Sequence, residues 1–246
     1  KTDPNPPTNL ANKPLVEAWF ELRWGLEAQA GQVVDPHHQI LVGQLYSLLK
    51  EKYPFSERLP TADIPEGFAP YLPRHRFRVA SERWPLVQIS PGILTVNDTE
   101  NYTWEDFSSY CTVAIDALFS IHPNANNLRI TEVALHYVDA DILQDGSALE
   151  LLQELKVSVK LPEALFAGQR ISPVNSGVNL SLTYPAKQPK GTFQVSFRQG
   201  RKNEDDALIW ETQVLSRGAD APHLSEEIKT WLQDAHDTTH DWFFRQ

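Results

Sequence analysis

Two stretches of this sequence hold the side chains best suited to chemistry. In Val16-Glu-Ala-Trp-Phe-Glu-Leu-Arg-Trp24 apolar and polar positions alternate. Glu17, Trp19, Glu21 and Arg23 therefore project from one face, and Val16, Ala18, Phe20, Leu22 and Trp24 from the other. Ile130 to Val138 has the same strand character and carries Glu132 and His136. If these two segments lie side by side, carboxylates, an imidazole, a guanidinium and an indole share one surface. Such a set suits general acid–base work, with Glu17 or Glu21 and His136 as the proton carriers of a hydrolase, or a hot-spot interface around Trp19. It equally suits a salt-bridged ladder across neighbouring strands.

A second cluster is basic. Arg74, Arg76 and Arg78 alternate with His75, Phe77 and Val79. Three guanidinium groups on one strand face form either an ion-pair ladder or a contact surface for anions, since the planar fork of Arg matches an oxyanion. With Trp19, the same arginines would serve RNA or single-strand binding. His236 and His240 are four apart near the C-terminus, a spacing that can chelate a metal. Two nitrogens need a further protein ligand and there is no HExxH pattern, so no metal is assigned. His37-His38 sits at a helix start, where the positive helix end disfavours imidazolium, so neutral rings are expected. Cys111 is the only cysteine, which excludes an internal disulfide, and its spacing with Phe107, Ala114 and Leu118 predicts a buried thiol. No G-x-S-x-G elbow, Walker A loop or G-x-G-x-x-G fingerprint occurs, and no cofactor is expected.

The elements that must position these groups follow from periodicity. The Val16–Trp24 strand is followed by Asp35-Pro36, read as an N-cap and first-turn proline, and by a helix to about Lys52 with Leu41, Leu45 and Leu48 inward. A proline-rich connection spans Pro54–Pro73. Strands at His75–Ala80, Leu86–Ile89 and Ile93–Asn97 precede a helix capped by Thr103, whose stripe is Phe107, Cys111, Ala114, Leu118 and Ile121. The order then starts again. Strand Ile130–Val138, helix Ala148–Lys156, strands Val178–Tyr184, Thr192–Arg198 and Leu208–Leu215, and a helix capped by Ser225 follow in turn. Val16–Leu22 aligns with Thr131–Tyr137, matching Glu17 to Glu132 and Glu21 to His136. The expected fold is α+β, with antiparallel strands, helices on one sheet face, and an internal duplication of strand, helix, three strands, helix. The boundaries read as a flexible segment 1–13, a first half 14–123 and a second half 124–246, the halves forming two domains or one continuous pseudo-symmetric sheet.

Pro14–Trp24, Gln88–Asn97 followed by Trp104, Arg129–Tyr137, and Ala235-His236 with Phe243 together resemble a sporadically distributed family of uncharacterised prokaryotic proteins of about 250 residues. Where that family carries an arginine–tyrosine pair, this chain has His136-Tyr137. The resemblance implies no activity, cofactor or catalytic residue. The patchy distribution of the family hints at an accessory role such as conflict or defence.

The 246 residues carry 41% apolar and 22% charged side chains, enough to bury a sizeable core. The net charge of −10 disfavours nucleic acid and anionic membranes as general partners. No apolar run approaches bilayer length and the start is polar and proline-rich, so a cytoplasmic protein is expected. The absence of methionine, and a last helix without a C-cap, suggest that terminal residues lie outside this sequence or that methionine positions were replaced. The function expected from the residues is non-enzymatic binding. A protein or a small polar ligand would dock on the uncovered sheet face or on the loops around Pro60–Pro73.

Overall fold

The computed structural model describes residues 13–29, 31–143, 147–162, 164, 170 and 177–244. The expected flexible segment 1–13 lies outside them apart from Lys13. In chain order the elements are β1 (Leu15–Trp24), a hairpin of β2 (Glu27–Gln29) and β3 (Gln32–Val34), α1 (His38–Leu49), β4 (Phe55–Arg58), β5 (His75–Arg78), β6 (Leu86–Ser90), β7 (Ile93–Asp98) and α2 (Trp104–Ile121). They continue with β8 (Ile130–Ile142), α3 (Ala148–Glu154), β9 (Asn179–Lys187), β10 (Lys190–Lys202), β11 (Asp205–Arg217) and α4 (Ser225–Phe244).

Nine strands form one antiparallel sheet in the order β4-β5-β6-β7-β1-β8-β11-β10-β9. The chain is therefore α+β, and the two halves share one sheet instead of building two. β1 and β8 pair at its middle, with Trp19 opposite His136, Arg23 opposite Glu132 and Phe20 opposite Leu135. Outward from that pair, β7-β6-β5 on one side mirrors β11-β10-β9 on the other. The alignment of Val16–Leu22 with Thr131–Tyr137 matches Phe20 to Leu135, which are register partners. This is the order that two repeats joined edge to edge would have.

Period-two alternation decides which way each strand faces. Ala18, Phe20, Leu22 and Trp24 of β1, Leu94 and Val96 of β7, and Val133 and Leu135 of β8 are buried in one apolar cluster. All four helices contribute to that cluster: Leu41, Leu45 and Leu49 from α1, Phe107, Cys111 and Leu118 from α2, Leu152 from α3, and Ile228, Trp231 and Leu232 from α4. The helices thus form a single layer, and among the described residues the other sheet face carries none. Each fully buried Leu, Ile or Phe contributes roughly 1.5–3 kcal/mol by leaving water, so this layer contact dominates stability. Cys111 is fully buried, and burial pushes its thiol well above the ordinary range.

Local chemistry sets the boundaries. The Thr103 hydroxyl accepts from the Asp106 amide at 3.1 Å, which fixes the start of α2. Gly92, at the second corner of the Ser90-Pro91-Gly92-Ile93 turn, has φ +77°, and a Cβ there would lie 2.6 Å from the Tyr71 ring. Three expectations need correction. α1 begins at His38 with His37 at its N-cap position, two residues later than Asp35-Pro36 predicts; one Asp35 carboxylate oxygen accepts from the His37 amide in the turn before the helix, and the other from Trp24 Nε1 and the Gly92 amide. Leu49, not Leu48, completes its inner stripe, Leu48 being 53% exposed. The Pro54–Pro73 connection contains β4, which pairs with β5 at the sheet edge. No helix among the described residues is long and apolar enough to cross a membrane.

Candidate functional site

The sheet brings together the six face residues expected from the sequence, and their side chains are engaged with one another or with residues of the flanking strands. Arg23 Nε lies 2.6 Å from Glu21, and its Nη1 lies 3.4 Å from Glu132. Arg217 of β11, which sequence reasoning missed, grips the other oxygen of Glu132. Burial raises the pKa of Glu21 against the opposing pull of Arg23 and His136. His136 stacks on Trp19, with ring centroids 4.1 Å apart and planes within 12°. Its Nδ1 is 2.9 Å from Glu211 and its Nε2 is 3.0 Å from the Gln213 amide nitrogen. That amide donates, so Nε2 is the unprotonated nitrogen and Nδ1–H donates to Glu211. Neither ring nitrogen is left for a substrate. Glu17 accepts from Asn97 Nδ2 at 2.9 Å.

Arg74, Arg76 and Arg78 do not form an exposed row. Arg74 and Arg78 are each only 4% exposed. Arg78 Nε donates to Glu57 at 3.1 Å, and its guanidinium lies over the Trp84 ring. Arg76 donates to Gln88 at 3.1 Å and lies 3.6 Å from Glu57. Arg74 lies just before β5, and its Nη1 donates to the Ala62 carbonyl. The row failed because β4 was not foreseen: it lays Glu57 beside β5. From there Gln88, Thr95 and Asn97 carry a continuous polar chain across β6 and β7 to Glu17. This half of the open face is thus laced by side-chain hydrogen bonds from Arg76 to Glu17, although Arg74 Nε and Nη2 and the ion-paired Arg23 Nε find no hydrogen-bond partner among the described residues.

Uncommitted chemistry lies on the opposite side of the sheet. Beneath the ends of α2 and α4 is a cavity of about 360 Å³. The alternation of β8 that buries Val133 and Leu135 also points Tyr137 and Asp139 this way. The cap at Thr103 places Tyr102 and Trp104 on one wall. On α4, helical spacing puts His236, Thr239, His240 and Phe243 along one side, and all four line the cavity.

A short chain of hydrogen bonds runs along this wall. The hydroxyls of Tyr102 and Tyr137 are 2.9 Å apart, and the Tyr137 hydroxyl is 2.9 Å from His236 Nδ1. The His236 ring stacks on Trp104 at 3.8 Å with planes 4° apart. Burial, reinforced by His240, depresses His236 to about 3, so the ring is neutral. Depending on which way the protons run along the chain, Nε2 presents a donor or an acceptor. Asp139 is 5% exposed, and none of the hydrogen bonds among the described residues ends on its carboxylate. Burial raises it to about 7, opposed only by Lys202, whose ammonium donates to the Ala140 carbonyl at 2.9 Å.

The sequence held a signal for this cavity. Val133, Leu135 and Tyr137 are inward positions, so the next inward residue of β8 is the charged Asp139. Ending that strand at Val138 hid it. His236 read only as half of a possible metal pair with His240. His38 is held neutral as expected, depressed to about 4, but by burial first and the neighbouring His75 second. Among the described residues no cluster of three or more histidine, cysteine or acidic side chains is arranged to hold a metal. No family model, curated protein or solved structure matches the chain.

Proposed function

We propose that this chain is a small-molecule binding protein whose ligand occupies the cavity between α2, α4 and the sheet. One contrast supports this reading. The acids and the imidazole of the open face are engaged by neighbouring side chains, whereas the cavity combines aromatic walls with the Asp139 carboxylate, on which none of the hydrogen bonds among the described residues ends. A volume of about 360 Å³ falls within the usual range for ligand pockets. All four stretches that resemble the uncharacterised prokaryotic family contribute to its lining, with Pro14 and Leu15, Trp104, Tyr137, and His236 with Phe243.

Binding without turnover fits the wall chemistry better than hydrolysis. The Thr239 hydroxyl is occupied by the Ala235 and His236 carbonyls, and Cys111 lies in the core. The hydrolase reading built on Glu17, Glu21 and His136 requires a free base, and both nitrogens of His136 are occupied.

The test is saturation-transfer NMR with three probes that share a phenylethyl body: 2-phenylethylamine, 2-phenylethanol and 3-phenylpropionate. A plugged variant, His240→Trp, serves as control after its thermal transition shows it folded. The reading expects at least one probe to bind the native protein and to lose binding in His240→Trp. Absence of binding by all three, or binding that survives the plug, overturns it.

A further inference from the structure

A buried carboxylate facing a cavity without a donor asks what completes it. Asp139 is the deepest charged group of the lining. The rim adds two more acids, Glu105 and Asp237. The cation of the lining, Lys13, spends its ammonium on the Tyr102 carbonyl at 2.7 Å. Lys202 is bound in the same manner to Ala140. Negative charge at the floor and rim is therefore joined to the rings of Trp104, Tyr102 and Phe243 in the lining, the combination that attracts a cation carrying an apolar body.

We infer that the ligand is an organic ammonium ion, a primary amine with an aromatic or alkyl body, held by its nitrogen on Asp139 and by its body against the aromatic wall. This rests on the cavity being the binding site. The amine donates to the carboxylate and supplies the missing hydrogen-bond partner, while the rings replace the water that the body leaves. A carboxylate or phosphate ligand would instead meet three acids.

The same geometry makes binding pH-dependent, because protonating Asp139 removes the anchor. Between pH 8 and pH 5 the ionised fraction of a group titrating at about 7 falls about 90-fold, and affinity for the amine falls with it. The other charged and titratable groups around the cavity are Tyr137 of β8, Lys202 of β10, Tyr102 and Glu105 at α2, His236, Asp237 and His240 of α4, and Lys13. Their contribution is whatever pH dependence persists in Asp139→Asn.

The experiment is calorimetric titration of the intact chain and of Asp139→Asn with 2-phenylethylamine and 2-phenylethanol, each at pH 8 and pH 5. The amine should bind the native protein at least about tenfold more tightly than the alcohol, as a charge-assisted bond requires. The gap should close in Asp139→Asn, and the native preference should vanish at pH 5, a readout that needs no variant. Equal binding of amine and alcohol, both lost in His240→Trp, overturns the ammonium inference while leaving the cavity as the site. Failure of every probe to bind overturns both.

Discussion

Replacing Asp139 by Asn removes a charge without changing shape, and the structure fixes how the effect must vary with pH. The native state binds the Asp139 proton more tightly than the unfolded chain, because burial raises the group from 3.8 to about 7. Its stabilising contribution is therefore complete below 3.8 and is lost as pH rises through 7. Weighing the two titrations, the wild type loses about 2.5 kcal/mol relative to Asp139→Asn between pH 5 and pH 8. For a domain of this size that equals a relative shift of roughly 5–10 °C in midpoint. Differential scanning calorimetry of both proteins at pH 5, 6, 7 and 8 measures it. The variant should gain steadily on the wild type as pH rises, and it should melt higher at pH 8. Parallel curves would show that Asp139 is paired or solvated, and the argument for an unspent anchor would fall.

Other consequences follow from the same geometry. His236 and His38 stay neutral in the folded chain down to about 3 and about 4, so they stabilise above 6.5 and destabilise as pH falls; each should cost about 2 kcal/mol between pH 7 and pH 5, and His236→Gln should lack its share in urea titrations. Glu132→Gln leaves Arg23 and Arg217 without their shared carboxylate and should cost about 1 kcal/mol, while 2-phenylethylamine affinity changes less than about twofold. A large loss of affinity would return the site to the open face. Gly92→Ala forces a Cβ into the Tyr71 ring at a positive φ and should lower stability by about 2 kcal/mol, read as a drop in urea midpoint.

The fold was legible where periodicity was strong. β1, α2 and the stripe of α4 stand where alternation and helical spacing put them, and the meeting of β1 with β8 gathers Glu21, Arg23, Glu132 and His136 as expected. Less legible were features set by tertiary partners. β4 is four residues long and sits among prolines, so nothing local marks it, yet its Glu57 decides the fate of Arg76 and Arg78. Asp35 looked like the N-cap because its type and place suit one, but the helix starts two residues later, and its second oxygen is held by Trp24 and Gly92, partners distant in sequence. The cavity was hidden for a different reason. Its walls come from β8, read four residues short at Val138, and from the start of α2 and the end of α4, and only their packing sets Tyr102, Tyr137, Asp139 and His236 around one space. A charged residue in phase with an apolar strand stripe was the one local clue.

The most direct test of the account is a crystal structure of the protein soaked with 2-phenylethylamine at pH 8. The account predicts the amine nitrogen within hydrogen-bond distance of the Asp139 carboxylate and the ring against Trp104. Density on the open face beside Trp19 and His136, with the cavity beneath α4 unchanged, would contradict it.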